Sequence, residues 1–137
     1  MNILFLCTGN SCRSQMAEGF LKSYRKDWPV ESAGISPKGL NPLAVKVMDE
    51  INIDISKQES KGVEKFLKIP FDYVITVCDN AKESCPVFAG KTKLIHWNLK
   101  DPADAKGTLE EKLVVFRQVR DEIKKYILDF LKNSQHE

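Results

Sequence analysis

Cys7-Thr8-Gly9-Asn10-Ser11-Cys12-Arg13-Ser14 sets a sulfur nucleophile and an arginine with five residues between them, flanked by an apolar run and an amphipathic stretch. Ile3-Leu4-Phe5-Leu6 reads as a buried strand and the pattern from Arg13 as a helix. A loop entering a helix turns its backbone N–H groups inward, where the helix dipole adds partial positive charge. A tetrahedral oxyanion fits there, cradled by Thr8, Gly9, Asn10, Ser11, Cys12 and the planar fork of Arg13. The same field favours a thiolate at Cys7, to which Ser14 can donate its hydroxyl. Gly9 permits a tight turn, and Asn10 tolerates an unusual backbone angle or ties the loop by side-chain hydrogen bonds. Taken singly, Cys7 is a strand-end cysteine, Arg13 a surface residue and Ser14 an ordinary first-turn residue. The complete octet argues against that for Cys7 and Arg13. Cys12 is expected to pack, with a Cys7–Cys12 bond as an oxidative dead end.

A second pair of thiols lies in Cys78-Asp79-Asn80-Ala81-Lys82-Glu83-Ser84-Cys85-Pro86. A hydrolase with one nucleophilic cysteine has no use for them. An oxyanion reductase does: one thiol attacks the sulfur of Cys7 to drive two electrons onto the bound atom, and another moves the disulfide to where a reductant reaches it. Were the segment fully helical, the two Cα atoms would stand about 10.5 Å apart at 1.5 Å per residue. A disulfide needs them within about 7 Å. A reduced, partly helical piece that loops out on oxidation is therefore expected. Zinc ligation is the other chemical reading, at an unusual spacing and with only His96 and His136 to help. Inert core packing would suit Cys78 but not Cys85, which precedes a proline in a polar loop.

The octet, with Gln15-Met16-Ala17-Glu18-Gly19 and Ser32-Ala33-Gly34, resembles the low-molecular-weight protein tyrosine phosphatase superfamily over nearly the whole chain. With Cys78 and Cys85 added, it is similar to the thioredoxin-coupled arsenate reductases of that superfamily. The resemblance implies an arsenate or phosphate-like anion in the loop and a Cys7–Cys78–Cys85 relay recycled by thioredoxin or a similar dithiol protein. It implies no cofactor and leaves room for weak phosphatase activity.

Within that resemblance Asp101, followed by Pro102, matches the general acid that lets oxygen leave as water. An Asp-Pro turn without chemistry is the other reading. Where tyrosine phosphatases of this fold typically carry an aromatic after the proline, Ala103 and Asp104 follow here, which points to a small inorganic substrate. Asn10, Glu18 and Ser32 match positions that hold a potassium ion in some relatives, but the family's aspartate aligns with Lys61. The Lys61 ammonium is expected to reach Glu18 in place of the ion, with activity indifferent to potassium. His96 is expected as a strand-end or surface residue.

The remaining elements must carry these groups. Helices are predicted from Arg13 to Arg25, from the Asn41-Pro42 cap through Ile51, and from the Thr108–Glu111 capping box to about Lys132, the last with Leu109 opening its apolar stripe. Strands are expected at Asn2 to Leu6, Val30 to Ala33, Phe71 to Val77 and Thr92 to Trp97. Asp54-Ile55 reads as a brief extended piece, Ser60 as the cap of a short helix over Gly62 to Leu67, and Asn133 to Glu137 as a fraying tail. Strands alternating with helices indicate an α/β fold: a four-stranded parallel sheet, order 2-1-3-4, covered on both faces in three α-β-α layers. Cys7, Cys78 and the segment after Trp97 would then gather at the carboxyl edge.

The 137 residues, 42% hydrophobic and 29% charged, suit one soluble domain spanning 1–137 and expected as a monomer. A net charge of +2, with no basic run interleaved with aromatics, gives no footing for nucleic acid. Met1 to Cys7 has no basic start, long apolar core or cleavage site, and no stretch would span a membrane, so a cytoplasmic location is expected. There, four cysteines call for chemistry rather than structural disulfides. A tyrosine phosphatase, and a non-catalytic oxyanion- or redox-sensing module, stand as the two rival readings.

Overall fold

The computed structural model describes residues 1–134. Four parallel strands form one sheet in the order β2-β1-β3-β4: β1 is Ile3–Cys7, β2 Val30–Gly34, β3 Tyr73–Thr76 and β4 Lys93–His96. Register runs Ile3 to Val30 on one side of β1 and Ile3 to Tyr73 on the other, with Tyr73 opposite Lys93. Side chains of a strand alternate between faces, yet every residue of β1 is buried, so both faces of its centre are covered. The edge strand is more open: Lys93 and Leu94 are exposed, and a lysine on an edge strand discourages pairing with another chain.

Four α-helices surround the sheet: α1 (Arg13–Tyr24), α2 (Pro42–Asp49), α3 (Asp79–Glu83) and α4 (Leu109–Ser134). Asn41 caps α2, its side chain accepting from Leu43 N–H at 2.8 Å, with Pro42 in the first turn. Thr108 and Glu111 cap each other's backbone N–H at 3.2 Å to start α4. Leu113, Phe116, Val119, Ile123, Ile127 and Phe130 then bury one stripe, while Leu109 stays 55% exposed because it precedes the first turn that reaches the core. Buried Arg120 ties α4 to α2, donating to Val47 O at 2.9 Å and to Glu50 at 3.0 Å.

Asp54-Ile55 forms no strand, and Val63–Phe66 is a 3₁₀ turn that Ser60 does not cap. The Ser60 hydroxyl instead accepts from Gly39 N–H and donates to Gly9 O. Asn133 and Ser134 belong to α4, and the rest of the expected frayed tail lies outside the described residues. No helix among the described residues is long and apolar enough to cross a membrane.

Candidate active site

The octet joins the carboxyl end of β1 to the first turn of α1. Cys7 Sγ lies 2.8 Å from Ser14 Oγ and accepts from Asn10 N–H at 3.0 Å. The left-handed residue of the turn is Asn10, at φ 47°, and Gly9 is not left-handed. Asparagine tolerates that region because its short polar side chain can bond locally. Asn10 Nδ2 donates to Ser14 Oγ at 2.8 Å and to Ser32 Oγ at 2.9 Å, while its Oδ1 accepts from Lys61 N–H and the Gln15 amide.

The loop is fastened from outside as well. Ile35, Ser36, Lys38 and Asn41 donate backbone N–H bonds to the carbonyls of Cys7, Thr8, Gly9 and Ser11 at 2.8–3.1 Å. A Cβ placed on Gly34 would meet Thr8 O at 2.7 Å, so β2 passes the loop at a distance only glycine allows. The fully buried Gln15 adds a strap to Glu59 O at 2.9 Å.

Above the loop is a cavity of about 300 Å³ whose walls include Cys7, Arg13, Lys38, Asp101 and Asp104. Arg13 donates to Leu99 O at 3.0 Å, and its guanidinium stands 3.4 Å from the Asp101 carboxylate. Asp101 caps the 3₁₀ turn Pro102–Asp104 through Ala103 N–H at 3.0 Å, so it is a turn former and a pocket group at once. Trp97, at the start of the same loop, stacks on Tyr126 of α4 and contacts Phe5. Lys38 on this wall was not anticipated from the sequence. It lies in an irregular stretch, where no periodicity reveals which way a side chain points.

Cys78 stands at the carboxyl end of β3, beside β1. Its Sγ is 3.3 Å from Thr8 Oγ1 and accepts from Ala81 N–H at 3.4 Å. Asn80 donates to Thr8 Oγ1 at 2.9 Å, leaving that hydroxyl's own proton for the sulfur. All four cysteines are free thiols: Cys7, Cys12 and Cys78 are buried and Cys85 is half-buried. As expected for a reduced segment, five of the six residues between Cys78 and Cys85 are helical.

Burial pushes the Cys7 thiol up, against the Ser14 hydroxyl, the Asn10 N–H and the Arg13 charge. The donors expected to favour a thiolate are thus present, but burial outweighs them. Burial also raises Cys85, and it drives Cys12 up to about 12. At pH 8 a thiol of that pKa is ionised in about one molecule in ten thousand. Iodoacetamide at pH 8 should therefore mark Cys85 first and Cys12 last, read by peptide mass spectrometry. Equal rates at the two would show that burial does not protect Cys12.

One expectation is corrected. Lys61 does not reach Glu18: its ammonium pairs with Glu31 at 2.7 Å. Glu18, almost wholly buried, accepts from Ser32 Oγ at 2.5 Å and pairs with Lys22, one helical turn along α1. The Glu18 carboxylate is thus matched by an ammonium, and Asn10 Oδ1 already accepts two N–H bonds. These residues do not fit a monovalent cation unless one displaces Lys22.

A four-stranded parallel sheet in this order, with a cysteine at the floor of a strand-to-helix loop, defines a phosphatase-type fold. The chain belongs to the low molecular weight phosphotyrosine protein phosphatase family, whose model matches residues 2–137. It is 52% identical over 134 residues to an arsenate reductase of Halalkalibacterium halodurans, covering 97% of this chain and 96% of that one. It is also similar to the structure of an arsenate reductase in a phosphate-binding state, at 33% identity and TM-score 0.77, covering 96% and 97% of the two chains. A low molecular weight protein tyrosine phosphatase from T. tengcongensis has the same fold, at 29% identity and TM-score 0.80, covering 97% and 99%.

Proposed function

We propose that this protein is an arsenate reductase that exports the oxidation as a disulfide through Cys7, Cys78 and Cys85. The observation that carries this reading is the contact of Cys78 with Thr8, which puts a second thiol beside the residue that follows the nucleophile. A hydrolase would have no use for it.

In the first step Cys7 thiolate attacks arsenic, a sulfur–arsenic bond forms, and one oxygen departs as water with a proton from Asp101. The carboxylate left behind stands beside Arg13, which stabilises it. Ser14 and Asn10 N–H bond the Cys7 sulfur before and after the step. Cys78 thiolate then attacks the Cys7 sulfur. The sulfur–sulfur bond forms, the sulfur–arsenic bond breaks, and its electron pair stays on arsenic, which leaves as arsenite. Thr8 and Ala81 N–H are placed to support the negative charge on Cys78 before it attacks.

Cys85 attacks Cys78 and releases Cys7 as thiolate. Because α3 takes up five of the six residues between the pair, and a helical rise separates residues that a disulfide needs within about 7 Å, the helix unwinds in this step. A dithiol protein of the thioredoxin type, at roughly −270 mV, then returns two electrons. Free thiols throughout suit the reducing cytosol, which is where we place the chain, as a monomeric single-domain enzyme. Phosphomonoester hydrolysis is the minor activity expected of the shared loop. Asp104 on the cavity wall opposes a second anionic group.

The test is arsenate-dependent NADPH consumption with thioredoxin and its reductase, on wild type and each Cys→Ser variant. Turnover should vanish for Cys7, Cys78 and Cys85 and survive for Cys12. Phosphotyrosine hydrolysis at a high rate, untouched by Cys85→Ser, would make the chain a phosphatase instead. Anion binding with no arsenite formed would leave only a sensing module.

A further inference from the structure

His96 ends β4 and touches a residue on either side of Cys78, Thr76 before it and Asp79 after it. Its Nδ1 lies 2.8 Å from Thr76 Oγ1 at the end of β3, and its Nε2 lies 3.2 Å from Asp79 Oδ1, the first residue of α3. Thr76, Lys82, Cys85 and His96 also line one small cavity of about 210 Å³, so the ring and the Cys85 thiol border the same space. A neutral ring donates Nε2–H to Asp79 while Thr76 donates to Nδ1. A protonated ring donates at both nitrogens, and the Thr76 hydroxyl turns to Ile95 O at 3.4 Å. Both contacts therefore hold in either charge state.

We infer that His96 is a positioning residue for the relay: it latches the redox helix to the sheet through Asp79 and so opposes the Cys78–Cys85 disulfide. The inference rests on the relay proposed above. Its two contacts respond differently to the oxidation. Thr76 and His96 lie opposite each other in the β3–β4 register, which unwinding of α3 leaves intact. Asp79 follows Cys78 directly and opens the helix that must uncoil, so its bond to His96 breaks when Cys85 swings in. Disulfide formation thus carries the loss of one hydrogen bond to a charged group, and reduction regains it. The latch makes the oxidised relay easier to discharge.

The test is a redox titration of the full chain in a Cys7→Ser/Cys12→Ser background, equilibrated with oxidised and reduced dithiothreitol. Oxidised dithiothreitol takes two electrons and two protons from Cys78 and Cys85, and the remaining thiols are counted by maleimide mass tagging. His96→Leu should raise the equilibrium constant for the disulfide about fivefold, a shift of about 20 mV to lower potential. His96→Gln, which keeps a donor near the Nε2 position, should stay within about twofold of the parent.

Asp79→Ser alters the same contact from a side chain 77% exposed, so it reports even if His96→Leu fails to fold. If the contact is the agent, Asp79→Ser alone raises the disulfide constant, shifts it less in a His96→Leu background than in the parent, and shifts it about as much in His96→Gln as in the parent. An unchanged potential in His96→Leu, or a fully additive shift in that background, overturns the latch while the relay stands. Absence of any Cys78–Cys85 bond in the parent overturns the relay, and the latch with it.

Discussion

Cys85→Ser should release one arsenite per chain and then stop. The first two steps need only Cys7, Cys78 and the anion pocket, all of which the variant keeps. What it lacks is the thiol that carries the disulfide outward: Cys7 and Cys78 are buried, and Cys85 is the most exposed of the three. A reductant the size of a small protein has little approach to a bond between two buried sulfurs. We expect a stoichiometric burst, then a steady rate lower by about two orders of magnitude or more, since the one thiol left, Cys12, is buried and pushed up to about 12, which leaves it almost wholly protonated. Rapid-quench measurement of arsenite distinguishes this from Cys78→Ser, which should give no burst. Sustained turnover by Cys85→Ser would mean that Cys78 passes its electrons elsewhere and that the relay is shorter than proposed.

Arg13→Lys should be nearly as damaging, although it preserves charge. The guanidinium meets Leu99 O and Asp101 from one planar group that also lines the anion cavity. A lysine ammonium is a single point and cannot hold the acid-bearing loop and two oxygens of an anion together. Losing one or two hydrogen bonds to a charged partner, each about 1.5–3 kcal/mol, predicts a fall in kcat/KM of about 10² to 10³. Steady-state kinetics with arsenate, and inhibition by phosphate, measure it. Phosphate inhibition weakened in step with kcat/KM would assign the loss to binding the anion's shape. A change in KM alone, under about fivefold, would show that charge is all Arg13 contributes.

Much of this was legible before any coordinates. The parallel sheet followed from alternating elements, though alternation alone does not set the strand order, and the octet announced its loop because a nucleophile and an arginine at that spacing have a physical reason to be together. The helical bridge between Cys78 and Cys85 followed from the propensities of Ala81, Lys82 and Glu83. What escaped was carried by stretches without periodicity. The backbone bonds from residues 35–41 involve no distinctive side chain, and neither Lys38 nor His96 shows in sequence which way it points. Lys22 was within reach, since Glu18 and Lys22 sit four apart on one helix. The i,i+4 pairing on one helix outweighs a longer reach from Lys61, which Glu31 already holds.

The uneven fastening of the anion loop has a mechanical consequence. On the β2 side, backbone rungs and the close pass at Gly34 make the cradle effectively part of the sheet. On the β3 side, the neighbouring wall is a helix little more than one turn long, joined to the loop through side chains of Thr8, Cys78 and Asn80. Under the proposed relay, recognition falls to the half bound into the sheet and electron export to the half held by side chains. On that reading the chain passes on its electrons without loosening its hold on the next anion.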